Sequence, residues 1–378
     1  MGIIACSQRH PGYLRVIVHE IFNVKHGLHR ISNKAIVKFQ KALGMIHIVG
    51  LSSVTNIEVT NRCAGNCRLC PVGQGRSNGH RGLMPFDKFK YVIDQIKGYA
   101  RVVNLYNWGD PFLHPDIYKM ISCVAACDIT STISSTFRAW HKEDAEQLVT
   151  SGISNVVISL HGLSEKTYRE YQPLNGRFDM SFSEALEKIH ALIAAKERWD
   201  LAHPDIIIQF VVTRKNEHEA KMLPEFAEKM GVGYLLSGAS LNLRFMQLDG
   251  NMAPRDVDEM ALRKERLECI EEWLPRDTHY TNPYYIFIRD NNGELPPVSE
   301  KWFDCISPWH ELFVNWDGTV SLCCGSFEKK YRVGNIFEQP LRTIWNNKFY
   351  HAARRSILGI SRDDDPDVQC KYCPGRLL

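Results

Sequence analysis

"TNIEVTNRCAGNCRLC", residues 55–70, runs from a β-branched, strand-like stretch straight into three cysteines, Cys63, Cys67 and Cys70. A tetrahedral metal ion needs four ligands, and three thiols on one loop leave the fourth unaccounted for. Three thiolates so spaced can instead hold three irons of a [4Fe–4S] cluster and leave the fourth iron open. The alternative for the triplet alone is a zinc knuckle whose missing ligand lies elsewhere, and His80 stands some distance on.

Downstream, apolar or β-branched runs recur at 55–59, 102–108, 129–135, 154–160, 205–212 and 233–237. Between them lie segments with helical spacing. Phe86, Phe89, Ile93 and Ile96 share one face, as do Ile117, Met120, Ile121 and Val124, and as do Phe182, Leu186, Ile189 and Ile193. Continuous apolar strands alternating with amphipathic helices predict a parallel sheet covered by helices. The fold class expected is α/β: a partial (β/α)6 TIM-type barrel with a small C-terminal α+β domain, a doubly wound sheet being the alternative. Either architecture gathers functional groups at the C-terminal ends of the strands, where the cysteine loop falls.

Composition agrees with an ordinary globular chain. Of 378 residues 44% are hydrophobic and 24% charged, and the net charge of +3 points to no nucleic-acid partner. No apolar run approaches the roughly 18 residues that span a bilayer, and the N-terminus lacks the layout of a signal peptide; the expectation is a cytoplasmic protein. Twelve cysteines in such a chain suggest metal binding or catalysis more than disulfides. Seven fall into two groups: the triplet, and Cys305, Cys323, Cys370 and Cys373. Cys6, Cys123, Cys127, Cys269 and Cys324 remain, most of them read as inert buried thiols.

The Cys-x3-Cys-x2-Cys spacing resembles that of the radical S-adenosylmethionine (radical SAM) enzymes. The resemblance implies that SAM chelates the open iron of a [4Fe–4S] cluster. One electron then yields a 5′-deoxyadenosyl radical, which abstracts hydrogen from substrate. Leu69 stands where the family usually has an aromatic residue near the adenine. "NLYNWGDPFLHPD" looks like the family's Gly-Gly-Glu motif, with Trp108, Gly109, Asp110 and Pro111 in its place, implying contact with the SAM amino group. By the same analogy Ser134, Ser159 and Gln209 line the cofactor site from later strands.

The second cysteine group follows a helical stretch near 254–275 and a Pro/Asn/Gly-rich link, "TNPYYIFIRDNNGELPP". Asp317-Gly318 signals a hairpin between Cys305 and Cys323, and a terminal "CKYC" supplies Cys370 and Cys373. A cytosolic zinc ribbon fits four such ligands. With Pro308-Trp309, the Gly334-Asn335-Ile336 turn and the Cys-x-x-Cys, however, the segment resembles the SPASM or twitch auxiliary domain of radical SAM enzymes, implying a second, fully ligated [4Fe–4S] cluster. The expected division is 1–54, an N-terminal helical extension; 55–245, the barrel; 246–300, a helical linker; and 301–378, the auxiliary domain.

Full ligation makes that second cluster an electron conduit, which suits two-electron oxidation of an alcohol carbon in a sugar, cyclitol or other small molecule. A flavodoxin or ferredoxin would be the electron donor. Modification of a ribosomal peptide, epimerisation, a non-catalytic zinc module and a cluster protein that only passes electrons are the alternatives. His161 is the expected proton acceptor, with Glu58 and Arg214 as further candidates. Cys324, the spare thiol, is expected to face the auxiliary domain's own core.

Overall fold

The computed structural model describes residues 28–76, 80–174, 178–241, 243, 258–297 and 303–373. Helix α1 (Leu28–Ala42) leads into β1 (Val54–Ile57), α2 (Phe86–Ile96), β2 (Val102–Asn104), α3 (Ile117–Ala126) and β3 (Thr130–Ser135). Then come α4 (Ala145–Thr150), β4 (Asn155–Ser159), α5 (Glu165–Tyr171), α6 (Phe182–Arg198), β5 (Asp205–Val212), α7 (Leu223–Lys229) and β6 (Gly233–Gly238). Each of the six strands pairs in parallel with the next, in the order β6-β5-β4-β3-β2-β1, which is the expected partial barrel.

The face of each strand follows from the register, because residues paired directly across a sheet point to the same side. Ile57, Val103, Leu105, Ile133, Val156, Ile158, Ile208, Phe210 and Val212 form one face, and with the buried stripes of the helices they make the main core. The α3 stripe is that read from the sequence; in α2, Val92 joins Phe89, Ile93 and Ile96 in the core, and Phe86 packs at its flank. In α6 the fully buried positions are Ala185, Ile189, Leu192 and Ala195, with Phe182, Leu186 and Ile193 at the flank. Small alanines let that helix approach the sheet, and its centre line lies beside the bulkier stripe. Its start is set by a capping box in which Glu184 accepts from Ser181 N at 2.6 Å.

Beyond β6, α8 (Glu259–Trp273) occupies the expected helical stretch, and the link behind it holds another helix, α9 (Pro283–Asp290). Asn282 caps α9 by accepting from Tyr284 N at 2.8 Å, with proline in the first turn. The C-terminal part contains α10 (Ser307–His310), β7 (Glu311–Val314), β8 (Thr319–Ser321), β9 (Arg332–Asn335), α11 (Leu341–Trp345) and α12 (Lys348–Leu358). The β7–β8 hairpin forms as expected, with Gly318 at φ +80°. Its first strand pairs in parallel with β1, so a nine-stranded sheet runs through both parts.

Arg354 on α12 closes the seam between the two parts. It is fully buried and donates to the carbonyls of Ile46, Pro308 and Trp345 at 2.8 to 3.1 Å. Burial lowers its pKa to about 9. No helix among the described residues is long and apolar enough to cross a membrane.

Replacing Arg354 by Met leaves three buried carbonyls without their donor. The expected cost is about 3 kcal/mol, read as a lowered urea midpoint. Arg354→Lys should recover only part of it, because an ammonium cannot span the same carbonyls.

Candidate active site at the strand ends

The cysteine loop leaves the C-terminal end of β1 and is fastened to the loop after β2. Asp110 N donates to Arg62 O at 2.7 Å. A Cβ on Gly109 would stand 2.0 Å from Thr60 O and 2.8 Å from Arg62 O, so only glycine permits the approach. This explains why β2 ends at Asn104, short of the apolar run that extends to 108: the chain turns out of the sheet to meet the loop.

Within that loop the three thiols are partly buried and influence one another electrostatically. Burial, then the charges of Asp110 and Cys67, push Cys63 well above an ordinary thiol. Burial pushes Cys67 up to about 12, with the Cys70 charge adding to it, and burial raises Cys70 as well. Left alone, such thiols stay protonated at neutral pH; bound iron supplies the positive charge that lets them ionise. Among the described residues no three His, Cys, Asp or Glu side chains close on one point as single-ion ligands do. Three thiolates on one loop match a cluster in which each ligates its own iron.

The triplet is held on two sides. Cys63 and Cys70 pack with Trp108, Val72 and Phe327, and the Trp108 and Phe327 rings meet edge-on at 4.9 Å. Cys67 and Leu69 pack on the other side with Tyr171, Leu241 and Trp273. Buried polar atoms without a hydrogen-bond partner lie in this region: Gln172 Oε1, Arg138 Nε and Trp108 Nε1. Such atoms are expected where a polar ligand completes the site, and SAM offers both donors and acceptors.

Several expected side chains have other duties. Both carboxylate oxygens of Asp110 accept from Ser135 Oγ at 3.0 Å, and Oδ1 caps the short turn Pro111–Leu113 through Phe112 N at 3.1 Å. Burial raises Asp110 to about 6. Ser135 was legible only as the neighbour of Ser134. His161, the expected proton acceptor, is held within the sheet: its Nδ1 accepts from Val211 N at 3.1 Å, its ring packs on Tyr171 at 4.4 Å, and burial drops its pKa to about 3. Arg214 is also engaged elsewhere, with Glu271 and Leu274 O. Glu58 is fully buried, its Oε2 accepts from Trp108 N at 3.2 Å, and burial raises it to about 7. It braces the β2 loop.

The other face of the sheet is polar. Asn56, Asn104, Thr132, Asn155 and Asp205 stand in one row across β1 to β5. Asn104 Nδ2 donates to Asn56 Oδ1 at 2.8 Å, and Asn155 Nδ2 to Thr132 Oγ1 at 3.2 Å. Ser134 pairs with Val157 on this face, and Ser159 with Gln209 nearer the strand ends.

In the C-terminal part, burial raises the Tyr350 hydroxyl, with charges on Cys323 and Cys370 adding to it, and Gln369 Nε2 donates to Gly325 O at 2.5 Å, tying the two segments together. Cys305 and Cys373 pack at the edge of the same core. Burial raises the Tyr106 hydroxyl, and the charge Cys324 could carry adds to it.

Residues 57–203 match the radical SAM superfamily and 305–374 match SPASM, an iron–sulfur cluster-binding domain. The chain belongs to the radical SAM superfamily and carries a SPASM domain; [4Fe–4S] clusters and SAM are the cofactors of that family. It is 23% identical over 309 residues to a tungsten-containing aldehyde ferredoxin oxidoreductase cofactor-modifying protein of Pyrococcus furiosus, covering 78% of this chain and 81% of the relative. It is 22% identical over 306 residues to an Fe-coproporphyrin III synthase of Methanosarcina barkeri, covering 76% of this chain and 72% of the relative. Its fold is similar to that of Streptococcus suis SuiB bound to precursor peptide SuiA, with a TM-score of 0.58 at 17% identity over 85% of this chain and 70% of that one. The fold of anSMEcpe with bound AdoMet is also similar, at a TM-score of 0.51 and 12% identity over 85% and 95%.

Two substitutions test this geometry. Gly109→Ala drives a Cβ into two carbonyls and should displace the cysteine loop, reducing reconstituted iron by about half. For Glu58, the folded pKa lies above the unfolded value, so the unfolded chain gives up its proton first. Stability therefore falls as pH rises from about 4.5 to about 7 and then levels. Between pH 5 and pH 8 the wild type should lose about 2 to 3 kcal/mol more than Glu58→Gln, compared by urea midpoints at both pH values.

Proposed function

We propose that this chain is a radical SAM oxidoreductase that removes two hydrogens from an alcohol carbon of a small, hydroxyl-rich molecule of the sugar or cyclitol type. The observation that carries the reading is the row Asn56, Asn104, Thr132, Asn155 and Asp205 on the face of the sheet turned away from the helices. The amide and hydroxyl members of the row both donate and accept, which matches the two-way hydrogen bonding of alcohols.

Cys63, Cys67 and Cys70 would hold the SAM-binding cluster, and Cys305, Cys323, Cys370 and Cys373 the second one. When bound, the first cluster and SAM supply hydrogen abstraction, and the second cluster accepts an electron. The chain's own residues shape the space: Gly109 and Asp110 set the loop, Leu69 walls one side, and Ser134, Ser159 and Gln209 line the inner face. Trp108 and Phe327 fill the ground beside the triplet with aromatic surface and keep water from it. A flavodoxin or ferredoxin would deliver the first electron. The division into 1–54, 55–245, 246–300 and 301–378 is part of this reading.

Epimerisation is the second reading; it requires a thiol outside both cluster sets to return a hydrogen atom to a substrate radical, and Cys324, beside Cys323 in sequence, is the candidate. Incubating the reconstituted enzyme with SAM and a panel of cyclitols and amino sugars in deuterated water separates the two. Oxidation gives a product lighter by two hydrogens, without solvent deuterium, and unaffected by Cys324→Ala. Deuterium on an inverted carbon, lost in Cys324→Ala, would replace the oxidase by the epimerase.

A further inference from the structure

The turn that follows α5 is pressed against the cysteine loop by a set of hydrogen bonds. Arg68 N donates to Tyr171 O at 3.2 Å, and Asn66 Nδ2 to Leu174 O at 3.1 Å. Arg138 gathers the same turn from β3's side, donating to Gln172 O at 2.7 Å and Pro173 O at 3.2 Å. Inside this clamp the Gln172 side chain is wholly buried. Its Nε2 donates to Ser159 O at 3.3 Å and lies 4.0 Å from Cys67 Sγ.

The orientation of the amide is not arbitrary. A backbone carbonyl can only accept, so Ser159 O fixes the nitrogen on its side, and Oε1 is turned away from it. That oxygen is buried and has no hydrogen-bond partner. An unpaired buried amide oxygen costs about 1 to 3 kcal/mol, and it persists in native proteins chiefly where a ligand supplies the donor.

We infer that Gln172 is a positioning residue of the SAM site: its Nε2 steadies the Cys67 sulfur, and its Oε1 accepts from an ammonium or hydroxyl group of bound SAM. The inference rests on Cys67 ligating the first cluster. A donor on a ligating sulfur stabilises the reduced cluster and raises its potential. One residue thereby joins electron entry to cofactor binding, and removing each half of the amide has its own consequence.

The experiment uses the full-length chain with both clusters reconstituted, and follows the first cluster by redox titration and by EPR of the reduced protein with and without SAM, in the absence of substrate. Gln172→Leu fills the space but neither donates nor accepts. It should retain full iron, titrate at lower potential, and bind SAM about tenfold more weakly. Gln172→Glu keeps an acceptor and loses the donor, so its potential should fall while SAM affinity stays within about threefold of wild type. If Gln172→Leu sheds iron, Gln172→Met, unbranched and of similar length, carries the same comparison. Wild-type potential and wild-type SAM affinity in an iron-replete Leu or Met variant would overturn the inference. A separate control guards the underlying assignment: if SAM leaves the EPR signal of the wild-type cluster unchanged, it is the triplet's role that fails, whatever Gln172 does.

Discussion

Strand β1 is hydrogen-bonded along both of its edges, to β2 on one side and to β7 on the other, and the site depends on this arrangement. A strand paired on one side only would leave a row of amides open and its loop free to swing. With both edges taken, the loop that begins a few residues later starts from a fixed point. Its cysteines are then confined between the Trp108 loop and the Tyr171 turn, and the first contact of the C-terminal part, Phe327, lies against them. Arg354 and the Trp309 indole, which donates to Met45 O at 2.9 Å, secure the chain before β1 from the opposite end.

The two sides of the triplet differ in chemistry. Toward Phe327 the surroundings are aromatic. Toward Gln172 and Arg138 they are polar and hold unpaired atoms. A cofactor with an ammonium, a carboxylate and a ribose belongs on the second side, and the first faces the auxiliary domain. The same division separates the two faces of the sheet, one apolar under the helices and one lined with amides and hydroxyls.

Much of this was legible in the sequence where a local pattern governs. The six strands, the stripes of α2 and α3 and the Asp317-Gly318 hairpin need only period and turn chemistry. Helix α9 was also signalled, by Asn282 as cap and Pro283 behind it, but the density of Asn, Gly and Pro in the link outweighed that signal. What could not be read depends on distant partners. The pairing of β7 with β1 and the Val211 amide that meets His161 Nδ1 are both set by tertiary register. The cysteines were the clearest part of the site, because their spacing lies within one loop or one short segment; Gln172 carries no such mark.

The seam between β1 and β7 also has a consequence for the order of assembly. Asn56 Nδ2 reaches Leu312 O across 256 residues of sequence, and such long-range pairing is slow to form because the chain entropy is lost before the contact is gained. During synthesis, β1 and its cysteine loop emerge early and wait, with one edge of the strand bare, until nearly the whole chain has left the ribosome. The cysteine loop therefore gains its second anchored strand edge only once β7 has been made.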